Sequence, residues 1–255
     1  MLYSWALCAF GVLEVLAIIA DGRMKAKVFD IHDELCDPPL TSIVLPTYRE
    51  EKWVEYALES IRAQNIIKAY PDMFEVIVVD SNSDDETVKV AEEHADKVLI
   101  APMGKLHARK GIEVAKGSII VGIDADSFYP PNWLNIILKK FNKPEVVGVA
   151  GPRLFGHVFY DSNIFLNNYS VWGNIRDSIR ETMYGSNGAF LRSAYYRTGG
   201  FDLSIDEFNQ DEIEKEEEHL FPSRLKMIRR VDWNWQATIF SSARRFHEKD
   251  IQRSF

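Results

Sequence analysis

The chain has 255 residues, 30 basic against 38 acidic side chains for a net charge of −8, and a hydrophobic fraction of 46%. That length and apolar content suit one large α/β domain rather than two, and the acidic balance excludes a nucleic-acid binder with a basic footprint. Only Cys8 and Cys36 are present, which excludes a disulfide-built fold and fits a reducing compartment.

The run "LYSWALCAFGVLEVLAIIA" at residues 2–20 is nearly long enough to span a bilayer and is broken only by Glu14. An acid near a helix centre costs ~2.5 to 3.5 kcal/mol, which about nine strongly apolar residues at ~0.3 to 0.6 each offset. A cleaved signal would want a charged n-region and a shorter apolar core; an interfacial or core helix is the other alternative. Residues 1–20 are therefore read as a single-pass transmembrane anchor. Arg23, Lys25 and Lys27 follow it, so the positive-inside rule keeps the remainder cytoplasmic. Residues 21–40 are mixed and polar, close in Asp37-Pro38-Pro39, and read as a linker.

From Thr41 the pattern alternates. "SIVLP" (42–46) is a buried strand stopped by proline, and "EKWVEYALESIRAQ" (51–64) places Val54, Ala57, Leu58 and Ile61 on one helical face. "FEVIVVD" (74–80) predicts a second strand, and "DDETVKVAEEH" (84–94) a second helix with an acidic first turn. "KVLIA" (97–101), "HARKGIEVAKG" (107–117), "SIIVGID" (118–124) and "NWLNIILKKF" (132–141) continue as strand, helix, strand and helix. Strands this apolar, alternating with helices, predict a mostly parallel sheet covered on both faces. Asp80 and Asp124 then fall at the carboxyl ends of strands, the edge where open α/β sheets bind ligands. The first strand runs into "PTYREEK" with no glycine, so the dinucleotide loop G-x-G-x-x-G is missing and NAD binding is rejected.

The stretch "VGIDADSFYPPNW" (121–133) ends an apolar run in Asp124 and Asp126. Two carboxylates roughly 4 Å apart repel by about 1 kcal/mol in water and about 4 kcal/mol at an effective dielectric of 20, so a positive group should share the site. Spacing alone is weak: with 18 aspartates in 255 residues, about one D-x-D arises by chance.

Six segments in order, "SIVLPTYREE", "VIVVDSNSDDET", "GKLHARKGIEVAKGSIIVGIDADS", "MYGSNGAFLRSAYYRTGGFD", "EEEHLFPSRL" and "SSARRF", make the chain resemble the family-2 glycosyltransferases of the GT-A fold. The resemblance covers residues 41–246 and is greatest to small, non-processive, membrane-associated members; residues 247–255 are left as a tail. It implies that Pro46, Thr47, Tyr48 and Glu50 line a nucleoside pocket and that Asp80 hydrogen-bonds the base, usually a uracil. For Asp80 a capping role beside Ser81 and Ser83 is the alternative. Lys105 and Arg109 would lie near the donor, with a solvated helix face as the plainer reading.

The same resemblance gives the aspartates their cation. Asp124, Ala125 and Asp126 would meet a nucleotide-sugar, Asp126 as direct ligand of Mg²⁺ or Mn²⁺ and Asp124 holding ribose or a metal-bound water. Hard divalent ions with oxygen ligands neutralise a departing diphosphate. The family's acid pair precedes an Arg-Leu by six residues, which places it at Glu217 and Glu218, with Glu218 as base and Glu217 as the alternative. The family usually has Asp there. Pro222 is tolerated only in a helix's first turn, so Glu218 is expected at a helix start, where the dipole favours its ionised form. The rest of the acidic run 206–218 reads as solvated loop.

Asn187 and Gly188 in "GSNGAF" would face the acceptor, and Arg224, Arg244 and Arg245 would clamp the diphosphate as guanidinium forks do. Charge facing a membrane surface is the alternative for Arg244 and Arg245. Four of the six histidines, His94, His107, His157 and His219, show no metal-ligand spacing, and "WNW" (233–235) reads as core or membrane-interface packing. No Q-x-x-R-W signature of processive synthases occurs, and related sequences often continue beyond the point reached at Phe255 into a membrane-associated segment. The expectation is an inverting glycosyltransferase that uses a nucleotide-diphosphate sugar, foremost a UDP-sugar. Its acceptor would be a glycan or lipid-linked molecule: a base favours a hydroxyl over a lipid phosphate, which is already ionised. The alternatives are a polyprenyl-phosphate glycosyltransferase and a non-catalytic nucleotide- or carbohydrate-binding module. A nucleotidyltransferase is disfavoured for want of a glycine-rich phosphate loop.

Overall fold

The computed structural model describes residues 34–101, 107–155, 173–175, 178, 183, 185–201, 216–242 and 244, without the side chains of His107, Glu217 and Glu218. The expected anchor at 1–20, residues 21–33 of the expected linker at 21–40 and the tail at 247–255 lie outside the described residues. No described helix is long and apolar enough to cross a membrane.

Strand β1 (Thr41–Thr47) is buried almost throughout. It pairs in parallel with β2 (Phe74–Asp80) on one side and β4 (Ile119–Gly122) on the other. Val, Ile and Leu fill these strands because both faces are covered, so neither face needs polar residues. β3 (Lys97–Ile100) extends the sheet beyond β2. On the β4 side come β8 (Gly188–Leu191), β6 (Val146–Ala150) and β9 (Arg230–Trp233), giving the hydrogen-bonded order β3-β2-β1-β4-β8-β6-β9. β8 runs antiparallel to both its neighbours and every other pairing is parallel. A mostly parallel sheet is thus what the alternation predicted, although the strands after residue 141 lie beyond the reach of that pattern.

The helices follow the expected faces with trimmed ends. α1 (Val54–Arg62) buries Val54, Ala57, Leu58 and Ile61. The short α2 (Asn65–Ala69) follows, then α3 (Thr87–His94) after β2. The acids expected in the first turn of α3 precede it instead: Asp85 Oδ1 accepts from the Thr87 backbone N–H at 3.0 Å. α4 (His107–Val114) packs on β1, α5 (Trp133–Leu138) is buried on all sides, and α6 (Arg192–Arg197) and α7 (Phe221–Ile228) close the sheet's far half. Trp233 and Trp235 pack edge to face with centroids 5.9 Å apart, and Trp235 stays exposed.

A second, small sheet decides where the site sits. β10 (Ile239–Ser241) lies between β5 (Ser127–Phe128), antiparallel, and β7 (Arg153–Phe155), parallel. It carries the chain after β9 back to the loop that leaves β4.

Strand order reverses around β1, with β2 and β3 on one side and β4 on the other, so the loops after β1, β2 and β4 open a crevice at the carboxyl edge. Register sharpens this, because Thr47 stands opposite Asp80. At the floor, a Cβ on Gly122 would come within 2.2 Å of the Gly185 carbonyl oxygen, so only glycine lets the turn at Gly185–Asn187 close on β4. Gly122→Ala is therefore expected to lower the unfolding free energy by ~1 to 3 kcal/mol, the range of an overpacked core. A denaturant titration with an unchanged midpoint would disprove the close approach.

Candidate functional site

Beyond β1 the loop is built by Asp80. Its Oδ2 accepts from the Thr47 hydroxyl at 2.8 Å and the Ser83 hydroxyl at 2.7 Å, and Oδ1 accepts from the Ser83 backbone N–H at 2.7 Å. Asp80 is wholly buried. It caps no helix, since α3 begins at Thr87; three of its roughly four lone-pair sites hold the two loops together. Arg49 turns the chain with φ 53°, forks onto Asp84 and lies 5.3 Å above the Tyr48 ring centroid. Tyr48 itself is exposed at the rim, a flat face beside Pro46 and Thr47. The Glu50 backbone N–H donates to the Thr87 hydroxyl at 2.7 Å, which aims the Glu50 side chain back over the crevice.

Across the crevice, the turn after β4 is pinned from below. The Asp124 backbone N–H donates to the Tyr129 hydroxyl at 2.8 Å, and that hydroxyl donates to the Ser186 carbonyl at 3.1 Å. Burial pushes the Tyr129 phenol well above its ordinary range, and the nearby Asp124 carboxylate adds to the shift. The group therefore stays a protonated donor at neutral pH. One buried hydroxyl thus fixes the D-x-D turn to the Gly185–Asn187 turn.

The small sheet pins the turn from the other side. Ser127 and Ser241 share a 2.6 Å hydroxyl bond, and the Ser242 backbone N–H donates to the Asp126 carbonyl at 2.9 Å. This brings Arg244 onto the turn. Its Nε donates to Asp126 Oδ2 at 3.0 Å and its Nη2 donates to Glu50 Oε1. Burial alone would lower the guanidinium pKa, but Glu50 and Asp126 outweigh it and the net shift is upward. Two acids that the sequence places 76 positions apart therefore share one cation.

Among the described residues no group of three or more His, Cys, Asp or Glu could hold a metal ion. A divalent ion bound with a nucleotide does not need one, since Mg²⁺-type sites take one or two carboxylates and complete their shell with phosphates and water. Asp126 fits that role: its side chain is nearly buried at the crevice, and Arg244 engages only Oδ2 of its two oxygens. Asp124, half-buried, is the second carboxylate at the turn. It also lines a cavity of about 70 Å³ whose other walls, among them Gly188, Met183, Phe190 and Phe221, are apolar.

Three of the expected site residues are engaged within the protein. Asn187 is wholly buried, with Nδ2 donating to the Pro152 and Ala237 carbonyls at 2.8 Å each and Oδ1 accepting from Trp133 Nε1 at 2.8 Å. It braces the turn and has no group left for an acceptor, whereas Gly188 does line the cavity. Arg224 forks onto the buried Glu216 and donates to the Gly200 carbonyl at 2.8 Å, so its guanidinium is engaged within the protein. Arg109 pairs with Glu113 one helical turn on at 2.7 Å, the solvated-face reading. Lys105 and Arg245 lie outside the described residues.

Glu217 and Glu218 belong to a π-helical turn, Glu216–Leu220, that runs into α7. Their side chains lie outside the described part. Pro222 occupies the first turn of α7, as its chemistry requires. It has no N–H for the carbonyl four residues back, that of Glu218, and the helix widens there. The sequence reading missed Tyr129, Ser242 and Glu216. Tyr129 carries no motif signal, and Glu216 is hidden in the acidic run.

An α/β sheet of this order with carboxylates across its switch point is the GT-A-like arrangement. The glycosyl transferase family 2 model matches residues 42–230, and the chain belongs to that family. The glucosyl-dolichyl phosphate glucuronosyltransferase of Haloferax volcanii is 29% identical over 188 residues, covering 64% of this chain and 56% of its own. The glucosyl-3-phosphoglycerate synthase of Petrotoga mobilis is 30% identical over 117 residues, covering 41% of this chain and 36% of its own. The chain thus spans between about a third and just over half of these relatives. In structure, the mannosyltransferase PcManGT from Pyrobaculum calidifontis in complex with GDP-Man and Mn²⁺ superposes with a TM-score of 0.66 at 23% identity, over 96% of this chain and 69% of its own. TarS of S. aureus in complex with UDP-GlcNAc gives 0.58 at 15%, over 79% and 58%. These two show the shared fold.

Tyr129→Phe keeps the ring and removes the hydroxyl, leaving the Asp124 N–H and Ser186 C=O without their shared partner. Leaving a buried polar group unpaired costs about 1 to 3 kcal/mol. Denaturant unfolding is expected to show a loss in that range, and calorimetric titration with UDP and GDP a weaker nucleotide. Parent-like values in both assays would remove Tyr129 from the site.

Proposed function

We propose that the protein is an inverting, divalent-metal-dependent transferase moving a sugar from a nucleoside diphosphate, UDP foremost, to a hydroxyl of a glycan or lipid-linked acceptor. The observation that supports it most is the crevice at the switch point, where the Thr47–Glu50 loop faces the Asp124–Asp126 turn. Tyr48 offers a flat face for a nucleobase, and the remaining lone pair of Asp80 is what this loop has for a base N–H. Asp126, with Asp124 beside it, would hold Mg²⁺ or Mn²⁺. When bound there, the ion supplies Lewis-acid neutralisation of the departing diphosphate. Ala125 would leave the turn low enough for the ribose to approach, and Arg245 beside Arg244 would add positive charge for the phosphates.

Glu218 would take the proton from the acceptor hydroxyl as its oxygen attacks the anomeric carbon on the face opposite the leaving group. The oxygen–carbon bond to the acceptor forms as the carbon–oxygen bond to the diphosphate breaks. The centre passes through oxocarbenium character, as glycosidic carbons do. Two observations favour a hydroxyl over a lipid phosphate. The first is an acid in the base position. The second is the name of the Haloferax relative, which refers to glucosyl-dolichyl phosphate, a sugar already carried on a lipid.

A thermal-shift panel of UDP-, GDP- and dTDP-sugars with and without Mn²⁺ identifies the donor, and no shift with any of them would overturn the reading. With the responding donor, Glu218→Gln is expected to lower turnover by about 10² to 10⁴-fold, the usual share of a general base, with little change in donor affinity. Glu217→Gln should lower it far less. Equal, modest losses in both would make the run electrostatic background, and a large loss at Glu217 alone would move the base by one residue.

We further propose that residues 1–20 anchor the protein in a membrane with the transferase domain in the cytoplasm, on the strength of the apolar run and the basic residues after it. The full chain is expected to pellet with membranes and to resist alkaline carbonate. Its recovery in the soluble fraction without detergent would rule the anchor out.

A further inference from the structure

The bridge made by Arg244 has more in it than a diphosphate clamp. Glu50 arrives from the loop after β1, Asp126 from the turn after β4, and Arg244 from the segment after β10. The side chains of Glu50 and Asp126 are 11% and 7% exposed and that of Arg244 is 27% exposed. Carboxylates so far out of water need a positive partner. The backbone delivers that partner. Ser242 N–H is tied to the Asp126 carbonyl, and the Arg244 N–H donates to the Ser242 hydroxyl at 3.2 Å. The guanidinium therefore stands on one oxygen of the very carboxylate proposed as metal ligand.

We infer that Arg244 is a placeholder cation: it holds Glu50 and Asp126 until the donor arrives, and it releases Asp126 to a divalent ion only when a diphosphate enters with that ion. This rests on the donor and metal reading proposed above. A metal ion entering alone would set two positive charges against each other and would leave a partly buried guanidinium without its carboxylate, a costly arrangement. A diphosphate changes both accounts. It brings negative charge to the metal, and its oxygens offer the displaced guanidinium a bidentate, charge-assisted partner. Metal and nucleotide are then positively coupled through Arg244, and the coupling is reciprocal. The alternative is that Arg244 is only a fold-stabilising ion pair, which would leave such coupling untouched.

Mn²⁺ binding, read from the loss of the free-ion EPR signal, tests this on the full chain without nucleotide and with saturating UDP or GDP. In the parent, nucleotide is expected to tighten Mn²⁺ by about tenfold or more, within the usual range of such couplings. In Arg244→Met, Mn²⁺ alone should bind about tenfold tighter than in the parent, as expected when a state that blocks nine sites in ten is removed, and the nucleotide effect should shrink toward one. Arg244→Lys keeps the charge but loses the fork, so it should retain weak binding of Mn²⁺ alone and lose most of the gain with nucleotide. It carries the test if the Met variant does not fold. Lys89→Met removes one charge from an exposed pair with Glu86 and should behave as the parent, which separates the bridge from net charge. Mn²⁺ affinity that is equal with and without nucleotide in the parent, or coupling unchanged in both Arg244 variants, overturns the placeholder alone. Failure of the parent to bind Mn²⁺ with either nucleotide overturns the donor and metal reading and the placeholder with it.

Discussion

Carboxylates drawn out of water at one edge of a sheet are the constraint around which this molecule is arranged. Asp80, Asp126 and Glu50 all approach the crevice with little or no exposure, and an ionised carboxylate there is tolerated only with hydrogen bonds or a counter-charge. Each is met differently. Asp80 takes three neutral donors and becomes part of the loop, whereas Asp126 and Glu50 share a guanidinium. The difference sorts them chemically. A carboxylate held by the backbone and hydroxyls of its own loops builds shape, while one held by an exchangeable cation is available to another cation.

Rigidity around that exchangeable charge comes from groups packed beneath the crevice. Tyr129 hangs the D-x-D turn from the neighbouring turn through one hydroxyl, and Asn187 ties that second turn to Pro152, Ala237 and Trp133. Every polar atom of the Asn187 amide has a buried partner, so the brace is fully satisfied, the condition under which a buried polar network rigidifies a site. The Gly122–Gly185 approach makes the same point sterically. Positioning here is achieved by small close contacts at the floor rather than by the loops at the rim.

The acidic run shows how one composition divides into roles. Glu216 is wholly buried and forked by Arg224, which fixes the start of the π turn, while Pro222 opens the helix beyond it. Glu217 and Glu218 fall between these two fixed points. Truncating one partner of a buried pair like Glu216–Arg224 typically costs about 3 to 5 kcal/mol. The arginine next to Leu225 therefore holds the register of the turn. A run that reads as uniformly solvated contains a buried anchor because a single guanidinium is folded back onto it.

The sequence by itself determined the strand and helix alternation through residue 141, the covered parallel sheet, and the arrival of Asp80, Asp124 and Asp126 at its carboxyl edge. Hydrophobic periodicity and strand-end position are local properties and survive without knowledge of partners. The motif order was enough for the family. Only the tertiary structure decided which polar groups are spoken for. Asn187, Arg224 and Arg109 have the chemistry of site residues, yet their partners lie 35, 8 and 4 positions away. Nothing in local pattern says whether a donor will be spent within the protein. Tyr129 and the β5–β10–β7 sheet were illegible for the same reason. A two-residue strand has no periodicity, and a tyrosine becomes a positioning group only when folding sets its hydroxyl between two backbone groups.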